Sequence, residues 1–141
     1  MSKSAREVMS GGAECIGETD TIEAAAKKLA DLDVGAMPIC GDDDRLKGML
    51  TDRDITIKVV AAGKDPAQTT AGELATQHEV VTIGADDSVD EALRTMIENK
   101  VRRLPVIDGH ELIGVISQAD LAKEVDSSKV GQLVEAISAA P

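Results

Sequence analysis

The chain contains itself twice, and this duplication limits the fold more than any other feature. Val34-Gly35-Ala36-Met37-Pro38-Ile39 recurs as Val101-Arg102-Arg103-Leu104-Pro105-Val106. Leu46-Lys47-Gly48-Met49-Leu50-Thr51-Asp52-Arg53-Asp54-Ile55 recurs as Leu112-Ile113-Gly114-Val115-Ile116-Ser117-Gln118-Ala119-Asp120-Leu121. Ala5-Arg6-Glu7-Val8 recurs as Ala71-Gly72-Glu73-Leu74. Position 34 maps onto 101, 46 onto 112 and 5 onto 71, so the offset stays at 67 or 66 residues. A register held over that length marks a tandem repeat. Repeat one spans 1–63, a linker with Asp65-Pro66 spans 64–70, and repeat two spans 71–125. The tail, 126–141, carries a further helix at 129–139.

Each repeat follows one plan. A short helical turn (5–9 or 71–75) leads into an extended piece (14–16 or 80–83). An amphipathic helix follows, with Ile22, Ala25, Ala26, Leu29 and Leu32 on one face, or Val89, Ala92, Leu93, Met96 and Ile97. Asp20 with Glu23, and Ser88 with Glu91, read as capping boxes. Apolar strands at 37–40 and 46–50 flank Gly41-Asp42-Asp43-Asp44-Arg45; those at 104–107 and 112–116 flank Asp108-Gly109-His110-Glu111. Such gaps signal hairpins. A helix closes each repeat, at 52–60 or 118–125. The unit is therefore β-α-β-β-α. Its crossover makes two strands parallel and its hairpin adds an antiparallel one, a mixed α+β (α/β) fold. A unit of about 60 residues buries little by itself, so the two copies are expected to pack by pseudo-two-fold symmetry, with a C-terminal helix added.

Composition excludes several function classes. The formal net charge of −11 argues against nucleic acid and against an anionic membrane surface, both of which recruit Lys and Arg. No Phe, Tyr or Trp is present to stack on a base. No apolar run suggests a leader or a span, so the cytoplasm is the expected location. No phosphate-cradling Gly loop, nucleophile elbow or His-Glu metal motif appears, so the chain reads as no enzyme.

The doubled strand-hydroxyl-carboxylate runs Gly48-Met49-Leu50-Thr51-Asp52-Arg53-Asp54 and Gly114-Val115-Ile116-Ser117-Gln118-Ala119-Asp120, with the apolar-Pro-apolar strands at Pro38 and Pro105, resemble the CBS-domain family. The stretch 35–54 and the region 61–75 are similar to stand-alone actinobacterial CBS pairs. The resemblance implies a Bateman module: two repeats with related clefts that hold adenosine-containing ligands such as AMP, ATP or S-adenosylmethionine. It implies regulation of a partner protein, a homodimer formed through helices (the small Ala24-Ala25-Ala26 stretch permits close approach), and no required cofactor. Thr51 with Asp54, and Ser117 with Asp120, match the residues that meet ligand, the carboxylate accepting from ribose hydroxyls. The same pairs have a purely structural use as helix caps. Pro38 and Pro105 border the adenine pocket in the family; equally, proline suits an irregular strand edge.

Arg102 and Arg103 stand where repeat one has Gly35 and Ala36. They read either as solvated surface charges or as a phosphate fork, since guanidinium groups match phosphate oxygens. The second reading predicts unequal sites, with Arg53 or Lys58 the substitutes available in repeat one. Cys15 and Cys40 fall on strands expected to be neighbours; free thiols and a disulfide both remain open, because register decides. A bridge would suit a protein made under oxidative or hypoxic stress. Asp42, Asp43 and Asp44 lack calcium-loop spacing, and His78 and His110 lack partners at zinc spacing, so no metal is expected. A ligand-free dimeric stress or interaction scaffold is the competing reading.

Overall fold

The computed structural model describes residues 3–11, 14–75 and 80–138. They form two compact units, one within 1–13 and 81–141 and the other within 14–80. The start of the chain thus folds with the second half, and residues 71–75 fold with the first.

In the unit within 14–80, β2 (Ile16–Gly17) leads into helix α2 (Ile22–Leu32), then β3 (Ala36–Cys40) and β4 (Leu46–Thr51). The sheet order is β2-β3-β4. The crossover through α2 leaves β2 parallel to β3, and the hairpin leaves β4 antiparallel, as the duplicated pattern predicts. Helix α3 (Asp52–Ile55) follows, running into a π-helical turn (Thr56–Val60), and α4 (Ala71–Ala75) closes the unit. Ile16, Ile22, Ile39, Leu50 and Val59 are fully buried in its core.

In the other unit, β5 (Ile83–Gly84), α5 (Val89–Asn99), β6 (Arg103–Asp108) and β7 (Glu111–Ser117) repeat the plan. Here α1 (Ala5–Val8) and β1 (Ser10–Gly11) are added at the start, and α6 (Gln118–Ala122) and α7 (Ser127–Ser138) at the end. The sheet order is β1-β7-β6-β5, with β1 antiparallel to β7. Leu133 and Ile137 of α7 join the core of Met96, Leu104, Val106, Ile116 and Leu121.

Several expectations need correction. The cap of α2 is Thr21, whose hydroxyl accepts from Ala24 N at 3.1 Å; Asp20 instead accepts from Gly17 N at 2.9 Å within the preceding turn. Asp87 repeats that turn contact with Gly84 N at 2.9 Å, and Ser88 is the cap of α5. Leu32, expected on the buried face, is 43% exposed at the last position of α2. Of the three adjacent alanines only Ala25 is buried, since neighbours on a helix point in different directions. The closing helices are shorter than expected, because the first passes into the π-helical turn and the second ends at Ala122. Strand β1 had no sequence signal. The 64–70 linker is tied down: Thr69 O and Pro66 O accept from Ile22 N and Glu23 N at 2.8 and 3.1 Å.

Two glycines permit the close docking of α4 on one sheet and of the α1–β1 segment on the other. A Cβ on Gly48 would lie 2.9 Å from Ala75 Cβ, and one on Gly114 would lie 2.9 Å from Ser10 O. Both clashes involve α4 or the α1–β1 segment, and neither can be relieved by swinging a long side chain away. Gly48→Val and Gly114→Val are each expected to cost about 1–3 kcal/mol of stability, measured by urea unfolding. A disulfide joins Cys15 to Cys40 across a sequence separation of 25, with Cα atoms 5.7 Å apart. Cross-linking a loop of that length destabilises the unfolded chain by about 3.5 kcal/mol. Cys15→Ala/Cys40→Ala, or wild type in reductant, should unfold at correspondingly lower urea, with no further loss when reductant is added to the variant.

Candidate functional site

Each hairpin delivers a hydroxyl to the start of a helix. Strand β4 ends at Thr51, which lies opposite Ala36; strand β7 ends at Ser117, opposite Arg103. The chain then turns into α3 or α6, and the exposed first-turn N–H groups need acceptors. Thr51 Oγ1 accepts from Asp54 N at 3.0 Å, while Asp54 Oδ2 accepts from Thr51 N at 3.0 Å. Ser117 Oγ accepts from Asp120 N at 3.1 Å, while Asp120 Oδ2 accepts from Ser117 N at 2.9 Å. Both are reciprocal capping boxes. A further bond fixes each corner: Asp52 N donates to Gly35 O and Gln118 N donates to Arg102 O, both at 2.9 Å.

The backbones match, but the charges around them do not. Beside Asp54 lie Lys58 Nζ, at 3.4 Å from Oδ1, and a second carboxylate, Asp52. Asp52 Oδ2 comes within 3.4 Å of where a Cβ on Gly35 would sit, the position that Arg102 occupies in repeat two. In repeat two Gln118 replaces Asp52, Glu124 replaces Lys58, and Arg102 and Arg103 replace Gly35 and Ala36. Arg102 and Arg103 are exposed, and none of the ion pairs among the described residues involves them or Arg53. The backbones of two exposed arginines thus border the Ser117–Asp120 corner, and neither side chain forms an ion pair among the described residues.

Pro38 and Pro105 are both buried, opposite Met49 and Val115. Each stands one residue before a stretch its parallel neighbour reaches, Ile39–Cys40 or Val106–Ile107, so a missing N–H is tolerated there.

The hydroxyl of Ser10 was missed. Its Oγ donates toward Asp120 Oδ1 and Oδ2 at 3.3 and 3.2 Å. The available signal was a doubled hydroxyl, since Ser10 and Thr76 hold the same place in the two repeats. Thr76 and His78 lie outside the described residues. His110 is exposed at a hairpin turn, and no three His, Cys, Asp or Glu side chains gather as metal ligands among the described residues. The Asp42–Asp44 run is an exposed hairpin tip satisfied from within. Asp43 Oδ1 accepts from Arg45 N at 3.1 Å, which, with Lys47 and Arg45 nearby, holds its carboxyl below the usual range. A groove of about 340 Å³ between Lys3, Val89, Asp90, Glu124 and Lys129 contains none of the candidate ligand-binding residues.

Comparison with known proteins gives a consistent picture. The CBS domain family model matches residues 5–61 and 71–127. Hypoxic response protein 1 of Mycobacterium tuberculosis is 50% identical over 133 residues, 94% of this chain and 92% of that one. A crystal structure of Hypoxic Response Protein I with two coordinated zinc ions, also 50% identical, superimposes with a TM-score of 0.80 over 87% of this chain and 99% of the other. A hexameric CBS-CP12 protein from bloom-forming cyanobacteria is 28% identical, with a TM-score of 0.74 over 92% of this chain and 75% of that one.

Because Thr51 and Ser117 cap helices, their hydroxyls have a structural cost of removal. Thr51→Ala and Ser117→Ala should each lower stability by about 1 kcal/mol, while Thr51→Ser should be nearly neutral. Thermal and urea unfolding of the three variants check this.

Proposed function

We propose that this chain, which belongs to the CBS-domain family through two tandem copies, is a non-catalytic regulatory module that senses an adenosine-containing ligand and acts through a partner. The observation that carries this reading is the asymmetry between two otherwise matching corners. In repeat two, Arg102 and Arg103 adjoin Ser117 and Gln118 through the backbone and form no ion pairs among the described residues, in a chain whose net charge is −11. A phosphate suits the first pair and a ribose diol suits the carboxylate of Asp120. Pro105 would border the base. AMP or ATP therefore fits repeat two better than S-adenosylmethionine, which brings no phosphate. The repeat-one corner of Thr51, Asp54 and Pro38 presents Asp52 at the Gly35 position and, among the described residues, has only Arg53 as an unpaired cation, since Lys58 is held by Asp54, so it is the weaker site.

The partner side of the proposal rests on surface chemistry. Leu32, Val34, Ile57 and Val60 are each more than 40% exposed, and such side chains suit self-association into the homodimer. No helix among the described residues is long and apolar enough to cross a membrane, and we place the chain in the cytoplasm. The likeness to a hypoxic response protein supports a stress role. A second reading, a ligand-free scaffold with redox-sensitive cysteines, is favoured by one observation, the Cys15–Cys40 bridge.

Calorimetric titration with AMP, ADP, ATP and S-adenosylmethionine separates the two. One equivalent of AMP or ATP per chain is expected. Binding should weaken about tenfold or more in Asp120→Ala and in Arg102→Ala/Arg103→Ala, as loss of charge-assisted bonds requires, and should survive Asp54→Ala. Silence from all four ligands at millimolar concentration would leave only the scaffold.

A further inference from the structure

We propose that the Ser10 hydroxyl is a latch tying strand β1 to the ligand carboxylate of repeat two, and that a ribose diol opens it. The proposal rests on the nucleotide reading above and adds what a partner would detect. Ser10 Oγ stands 3.3 and 3.2 Å from the two oxygens of Asp120, so its single proton is shared across the carboxylate fork. Asp120 Oδ2 also accepts from Ser117 N at 2.9 Å, a bond that belongs to the cap and must persist if α6 is to stay in place. The fork between the oxygens is the approach that two adjacent ribose hydroxyls require, and Ser10 occupies it. Ligand and latch therefore compete for one acceptor.

What the latch holds is small. Strand β1 has only two residues, with Ser10 opposite Val115 and Gly11 opposite Gly114 on the β7 edge. A two-residue strand has few backbone bonds, so one side-chain bond is a large share of its attachment. Helix α1 is fixed separately, by Ala5 N to Asp87 O at 2.8 Å, Arg6 N to Ala85 O at 2.9 Å and the burial of Ala5. Opening is thus confined to the segment after α1. Among the described residues no hydroxyl reaches Asp54 from outside its own capping box, and its outer oxygen meets Lys58 four residues along the same helical stretch. Occupancy of the second site alone would free an edge strand. Because the ligand favours the unlatched arrangement, it shifts the equilibrium between the two.

Hydrogen–deuterium exchange and calorimetry on the full chain, with AMP as the probe, test this in wild type, Ser10→Ala and Ser10→Thr. AMP should accelerate exchange at the Ser10 and Gly11 amides of wild type. Ser10→Ala should show that fast exchange without AMP, gain nothing on its addition, and bind AMP about fivefold more tightly, the competitor being gone. Ser10→Thr, which keeps the hydroxyl, should behave as wild type, and equal protection of α5 in all three proteins shows that the fold is intact. AMP binding with unchanged or slowed exchange in β1 overturns the latch and leaves the nucleotide reading standing. Weaker AMP binding by Ser10→Ala makes Ser10 a ligand contact and also overturns it. If AMP binds none of the three, the nucleotide reading falls and the coupling falls with it.

Discussion

The close docking of a very short helix onto each sheet is the constraint on which the rest depends. Helices of four or five residues do not persist alone, because nucleation costs more than so few bonds return. Here α1 and α4 persist because the same two backbone bonds seat each of them. Ala5 N and Arg6 N donate to Asp87 O and Ala85 O; Ala71 N and Gly72 N donate to Asp20 O and Glu18 O. The acceptors lie in the turn between the first strand and the long helix of each unit. That turn is itself braced by Asp20 or Asp87 accepting from Gly17 N or Gly84 N. Seated in this way, the end of α4 lies against Gly48 and the segment after α1 against Gly114, where a side chain has no room. Those glycines lie within the strands that end at Thr51 and Ser117. The candidate site is therefore downstream of a packing requirement, and its hydroxyls are placed before any ligand is considered.

On that shared backbone the two copies have diverged in charge. Replacing Gly35, Ala36 and Asp52 by Arg102, Arg103 and Gln118 adds two cations and removes an anion around one capping box. Arg53 against Ala119 and Lys58 against Glu124 shift the balance the other way, so the two corners differ in where charge stands and not in its sum. Neither set disturbs the corner, since the bonds that fix it come from the backbone of residues 35 and 52 or 102 and 118. Duplication thus leaves side-chain identity free at positions whose structural work is done by peptide groups.

The same division explains what the sequence made legible. Parallel strands, hairpins and the long helices follow from apolar periodicity and turn residues, and the 67- or 66-residue offset made each reading twice over. The helix caps were legible to within one residue: Asp20 has the right side chain for a cap, but it serves the turn, and Thr21 serves the helix. The unit to which residues 5–11 belong was not legible, because it is set by backbone bonds that leave no pattern in side-chain type. The π-helical turn at Thr56–Val60 was hidden for a like reason, since Thr56, Ile57, Lys58 and Val59 suit either winding. At the site, the hydroxyl–carboxylate pairs and the arginines were visible as residues. That the pairs close on themselves as caps, and that Ser10 reaches Asp120, are facts of geometry.

A capping box and a ligand site need not compete for the same atoms. The cap uses the hydroxyl oxygen as an acceptor and one carboxylate oxygen, Oδ2, against the strand N–H. The hydroxyl proton and Oδ1 remain outside that reciprocal pair. In repeat one Oδ1 pairs with the ammonium of Lys58; in repeat two it shares the proton of Ser10. A diol would have to displace a cation in the first case and only a neutral hydroxyl in the second, and bonds to charged partners are the stronger. Structural duty therefore accounts for both copies of the motif, while on the proposed nucleotide reading the outer oxygen of Asp120, covered among the described residues only by the Ser10 hydroxyl, is the easier of the two for a ligand to take over.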